Sequence, residues 1–188
     1  MFSRRITGDG KAIHPSLKWE VFGIVAEYGG KEELEQLLEI WRTSANEDEQ
    51  YLALECLGRA STAELARWVL ELAFTKDVKD QDLHILVWLI GSSAHGAAVL
   101  WEWTKENWQR IETSIPVDLR CMILGVVLDG LGTEEQACDV KAYFDSRDSK
   151  AYQQILKQKL ELIEVRRRWA ERDAEDVKTW LSSHGYLD

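Results

Sequence analysis

Apolar residues recur at spacings of three and four almost from one end of this sequence to the other, and clear strand-type alternation is hard to find. That pattern restricts the chain to helices packed on helices. Only two prolines occur in 188 residues, so few positions force a break. The pattern predicts helices over about 15–28, 31–44, 47–58, 61–72, 81–92 and 96–112, then one opened by Pro116 and closing near Gly130 to Gly132. Further helices follow over about 134–145 and 149–171, and a short last one ends near Gly185. Residues 1–14, with Gly8, Asp9 and Gly10, read as an irregular N-terminal segment.

Local chemistry agrees with these boundaries. "STAE" at 61–64 and "TEEQ" at 133–136 read as capping boxes, in which a hydroxyl and a side chain three residues later satisfy the free amides of a helix start. Gly29 and Gly30 suit a helix end. Turns of two to seven residues make consecutive helices antiparallel neighbours. The expected architecture is all-α: one domain over 1–188, with about ten helices over 15–188 stacked as a degenerate, HEAT-like helical-repeat array. A compact helical bundle is the alternative.

"LWEWTKENWQRI", residues 100–111, holds three tryptophans within eight positions. Trp101 and Trp108 are seven residues apart and share a helix face, whereas Trp103 points roughly the opposite way. A ligand platform would gather its rings on one side. Rings on both sides fit a helix buried between neighbours.

The formal net charge is −10, which disfavours nucleic acid and anionic membrane surfaces as partners. The longest apolar run, "ILVWLIG" at 85–91, is far shorter than a membrane span of roughly eighteen residues and suits a buried helix. Cys56, Cys121 and Cys138 show no paired spacing and point to reduced thiols in a cytoplasmic compartment. No H-E-x-x-H, G-x-S-x-G or phosphate-binding glycine motif occurs, so no catalytic or metal-binding residue is assigned. Among His14, His84, His95 and His184, only His84 sits among apolar helix residues, where it is a core or a groove histidine. Arg166, Arg167 and Arg168 are consecutive and cannot share one face. They form a solvated face paired with Glu161, Glu164 and Glu171, or part of a groove that holds a peptide carboxylate.

Several stretches together resemble the C-terminal helical domain of zinc aminopeptidases of the aminopeptidase N type. "IHPSLKWEVFGIVAEYGG" resembles that family's "I-P-x-L-R-x-x-V-[YF]" helix and Gly-rich turn, and "ALECLGRA" its "A-L-x-x-[LS]" helix. Trp101, Trp103, Glu106, Asn107 and Trp108 match "W-x-[WF]-x-x-x-N-W", and Glu161, Ile163, Trp169, Trp180 and Leu181 match the family's tail pattern. The tail departs from it at Arg166 and Asp173, where relatives carry asparagine.

The resemblance implies a non-catalytic domain that shapes or closes the peptide-binding cavity of a parent zinc aminopeptidase. It implies no cofactor in this chain, because the zinc and the G-[AG]-M-E-N motif belong to a preceding catalytic domain. The chain looks shorter than the full family domain, as an excised fragment or a product started at an internal methionine would be. The expected partners are that catalytic domain or its peptide substrate, and a second copy docking on the exposed N-terminal edge. A stand-alone peptide- or protein-binding module is the alternative function.

Overall fold

The computed structural model describes residues 1–187, without the side chains of Asp80, Ala94 and His95. Ten α-helices and no strand occur among the described residues: α1 (Phe2–Ile6), α2 (Lys18–Tyr28), α3 (Lys31–Thr43), α4 (Glu47–Leu57), α5 (Ala63–Glu71), α6 (Leu83–Ser92), α7 (Ala94–Ser114), α8 (Val117–Asp129), α9 (Glu134–Asp145) and α10 (Gln153–Ser183). Their contacts divide the chain into two compact units, residues 1–130 and 131–188.

In the first unit, α2 packs on α4, α4 on α6 and α6 on α8, so alternate helices lie side by side in one layer. α3, α5 and α7 pack against that layer, and α5 also packs on α7. The leucines at three- and four-residue spacings supply the seam: Leu34, Leu37, Leu54, Leu57, Leu70, Leu86 and Leu100 are fully buried. Each contributes about 1.5–3 kcal/mol of apolar burial.

The turns follow the capping chemistry of their residues. Asn46, Thr62, Ser93 and Thr133 each accept a backbone N–H of the first helical turn through a side-chain oxygen. At Thr133 the box is complete, because Gln136 Oε1 accepts the Thr133 N–H at 3.1 Å. At the α5 start the cap is Thr62, not Ser61, and Glu64 falls in the second helical position, too early to close a box. Residues 2–6 of the segment expected to be irregular form α1, whose Phe2 ring meets Phe22 edge-on at 5.8 Å.

Backbones approach closely where α6, α7 and α8 meet. A Cβ at Gly130 would run into Ala97 Cβ and stand 2.5 Å from the Gly91 carbonyl oxygen. Gly130→Ala is therefore expected to destabilise the chain by about 1–3 kcal/mol through overpacking. Urea unfolding measures this, and an unshifted midpoint would mean that the end of α8 can withdraw from α7.

In the second unit, α9 packs on α10 around Val140, Phe144, Tyr152, Leu156 and Ile163. α10 is one continuous helix of 31 residues, where the sequence pattern suggests a break near 171. The run from Ala170 to Asp176 contains no glycine or proline, and Arg172 pairs with Asp173 at 2.7 Å, so nothing in it stops a helix.

Candidate functional site

Exposed apolar side chains in the first unit are not scattered. From α2 onward, those on helices are Ile24 and Tyr28 on α2, Tyr51 on α4, Trp88 on α6, and Val117 and Met122 on α8. α3, α5 and α7 carry no large one among the described residues. The layer of alternate helices thus turns an aromatic and aliphatic face outward, whereas the opposite layer is polar outside. Large apolar side chains exposed on one layer and not on the other make that layer the candidate binding surface.

Two hollows cut into this face. The first, of about 300 Å³, lies between α4 and α6 and is lined by Tyr51, Glu55, His84, Ile85 and Trp88. The i, i+4 spacing of Tyr51 with Glu55 and of His84 with Trp88 stacks each pair along one helix edge. His84 Nδ1 lies 2.7 Å from the Gln81 carbonyl oxygen, which can only accept, so Nδ1 carries the proton. Burial pushes the Glu55 carboxyl up, against the opposing charge of Arg59. The second hollow, of about 530 Å³, is lined by residues that include Glu27, Tyr28, Arg59, Ser61, Leu89 and Ser93. Arg59 lies over the Trp19 ring at 4.6 Å.

The tryptophan helix is not part of this face. Trp101, Trp103 and Trp108 are 3%, 0% and 4% exposed, so α7 is covered on both of its ring-bearing sides. Trp103 stacks on Phe74 with ring centroids 5.3 Å apart. Asn107 donates to the Trp103 carbonyl at 2.9 Å, and Glu106 is an exposed partner of Arg67. Of the residues singled out from the sequence, His84 alone lines the aromatic hollow. Tyr51 and Trp88 escaped the sequence reading. Trp88 lies inside the apolar run at 85–91 yet is 55% exposed. A run with no polar residue offers no contrast by which to tell its outer side. The i, i+4 pairing of aromatic residues with Glu55 and His84 was the available signal.

In the second unit, Glu161 edges a groove floored by Val140, Phe144, Leu156 and Leu160. Arg167 is bound to Glu164 at 2.8 Å and Glu171 at 2.5 Å, and Arg168 to Glu164 at 2.6 Å. Arg166 donates to the Leu131 carbonyl at 3.3 Å. Arg167 and Arg168 are thus engaged along their own helix. Trp169 and Trp180 are about half exposed, and only Leu156 and Ile163 of α10 are buried.

Burial pushes the Cys56 thiol up to about 12, far from a reactive thiolate. Among the described residues no three His, Cys, Asp or Glu side chains converge as metal ligands. No described helix is long and apolar enough to cross a membrane.

The family model of the ERAP1-like C-terminal domain matches residues 1–165. Aminopeptidase 2 of Candida albicans is 34% identical over 98% of this chain, and Aminopeptidase 2, mitochondrial, of Saccharomyces cerevisiae is 30% identical over 99% of it. Endoplasmic reticulum aminopeptidase 2 of Homo sapiens is 26% identical over 96%. The chain spans 20% of the length of the two fungal relatives and 19% of the human one.

Proposed function

The chain belongs to the ERAP1-like C-terminal domain family, and from that premise we propose that it is the non-catalytic helical part of a zinc aminopeptidase, closing the cavity in which peptides are held. Its helices pair as a degenerate HEAT-like array, a reading supported by the succession of α2, α4, α6 and α8 in one layer. The observation that carries the proposal is that, from α2 to α8, the large exposed aromatic and aliphatic side chains on described α-helices lie on α2, α4, α6 and α8 and not on α3, α5 or α7. A wall facing a peptide needs such a surface. A wall facing solvent does not.

In this proposal the metal chemistry belongs to the parent's catalytic part, and no step runs through this chain. The same part would cover Trp169 and Trp180 and the exposed Met1 and Ile6. A cytoplasmic setting for the parent is part of the proposal.

The test begins with the purified chain, which is expected to hold no stoichiometric zinc and to turn over no aminoacyl fluorogenic substrate. Added to a related aminopeptidase lacking its C-terminal fifth, it is expected to restore cleavage of long peptides more than of single-residue substrates. The double variant Tyr51→Ala, Trp88→Ala should lose most of that length-dependent gain while keeping its helical circular dichroism. Turnover by the chain alone, or full restoration by the double variant, would sink the proposal. Peptide binding with no effect on the catalytic part would instead support a stand-alone module.

A further inference from the structure

The hollow between α4 and α6 holds an unusual combination. Glu55 is half-buried and makes no hydrogen bond or close ion pair among the described residues, and the charge of Arg59, just past the end of α4, offsets its burial only in part. Glu49, six residues earlier on α4, shows the contrast: it is held by Arg5, Lys18 and Ser44. A carboxylate withdrawn from water without a partner carries a desolvation cost that a cation would relieve. Burial already pushes its pKa up.

The walls around Glu55 favour the same occupant. Tyr51 and Trp88 are 40% and 55% exposed, so part of each ring is open to a ligand. The negative faces of such rings attract ammonium and guanidinium groups. His84 has Nδ1 committed to the Gln81 carbonyl, which leaves Nε2 as the ring nitrogen open to a ligand, an acceptor for an N–H donor whenever the ring is neutral. Arg59 acts on Glu55 by charge while lying over Trp19, and no lysine or arginine is among the described residues that line the hollow. At about 300 Å³ the space suits one long side chain rather than a folded segment.

We propose that Tyr51, Glu55, His84 and Trp88 form a subsite for the cationic side chain of a peptide, an arginine or a lysine, on the face assigned above to peptide. The proposal rests on that assignment and gives it a specificity. A peptide with a basic residue at the position reaching α4 and α6 is held by charge and by ring contact together. A neutral peptide of the same length meets only the apolar face.

Nuclear magnetic resonance of the purified chain tests it, with the Trp88 indole N–H assigned through Trp88→Phe. The probes are two blocked nonapeptides of alanine and leucine, one with a central arginine and one with citrulline, its uncharged isostere. The arginine peptide is expected to shift the Trp88 resonance and to bind about tenfold more tightly than the citrulline peptide. Glu55→Gln should erase that preference and leave the rest of the spectrum in place. Equal binding of the two peptides, or a preference that survives Glu55→Gln, overturns the cation subsite while leaving the peptide face standing. No response at the α4–α6 face to either peptide overturns both.

Discussion

Trp103→Ala is expected to lower the unfolding free energy by about 3–5 kcal/mol, the range for large aromatic truncations in a packed core. Trp103 has no exposed surface and lies flat on Phe74, in a helix that packs on α5, α6 and α8. The cavity left by its indole cannot collapse without moving at least two of those helices. Trp101→Ala and Trp108→Ala fall in the same range, since both rings are almost fully buried. Trp103→Phe should cost less than about half as much as Trp103→Ala. It keeps an apolar ring against Phe74 and removes an indole N–H that finds no acceptor among the described residues. Urea and thermal unfolding of the four variants measure this. Unchanged midpoints in the alanine variants would mean that the rings are surface features and that a ligand platform must be reconsidered.

Glu49→Gln is expected to destabilise the chain by about 2–4 kcal/mol, because it takes the carboxylate from a buried cluster of charges. Glu49 is 4% exposed and accepts from Arg5 at 3.0 and 2.7 Å and from the Ser44 hydroxyl at 2.6 Å, with Lys18 at 2.8 Å. It thereby fastens α1 and the start of α2 to α4. Arg5 chiefly, helped by Lys18 and Ser44, holds its carboxyl at about 2, below the ordinary 4.5. The native state therefore binds fewer protons than the unfolded one between those values, and the contribution is complete above the unfolded pKa. It is lost as the pH falls from about 4.5 to about 2. Stability measured across that window should drop in the wild-type chain and vary less in Glu49→Gln. Parallel curves for the two proteins would mean that the cluster is not formed in solution.

Much of the fold could be read from residue order. The boundaries of α3, α4, α8 and α9 fall within two residues of those set by apolar spacing and turn residues. The helix count of ten agrees for a compensating reason: α1 appears where an irregular segment was expected, and α10 joins two helices expected to be separate. Both differences arise at polar segments, where a spacing pattern has little to register. The candidate site was far less legible. His84 stands out as a core or groove histidine, but Trp88 lies in an apolar run that reads as interior, nothing in the order of residues marks Tyr51 as exposed, and Trp169 and Trp180 match a family pattern that says nothing of their exposure.

The sequence alone determined that the chain is helical throughout, that Thr133 caps α9, and that the tryptophan helix bears rings on opposite sides. Each of these depends on chemistry within about one turn of a helix, which residue order states directly. Tertiary structure alone decided which apolar side chains stay outside. Trp103 and Trp88 are the same residue type on neighbouring helices, yet one has no exposed surface and the other is 55% exposed. Periodicity reports how a helix could divide its faces. Burial depends on whether another helix arrives to cover each face, and that is settled by contacts distant in sequence.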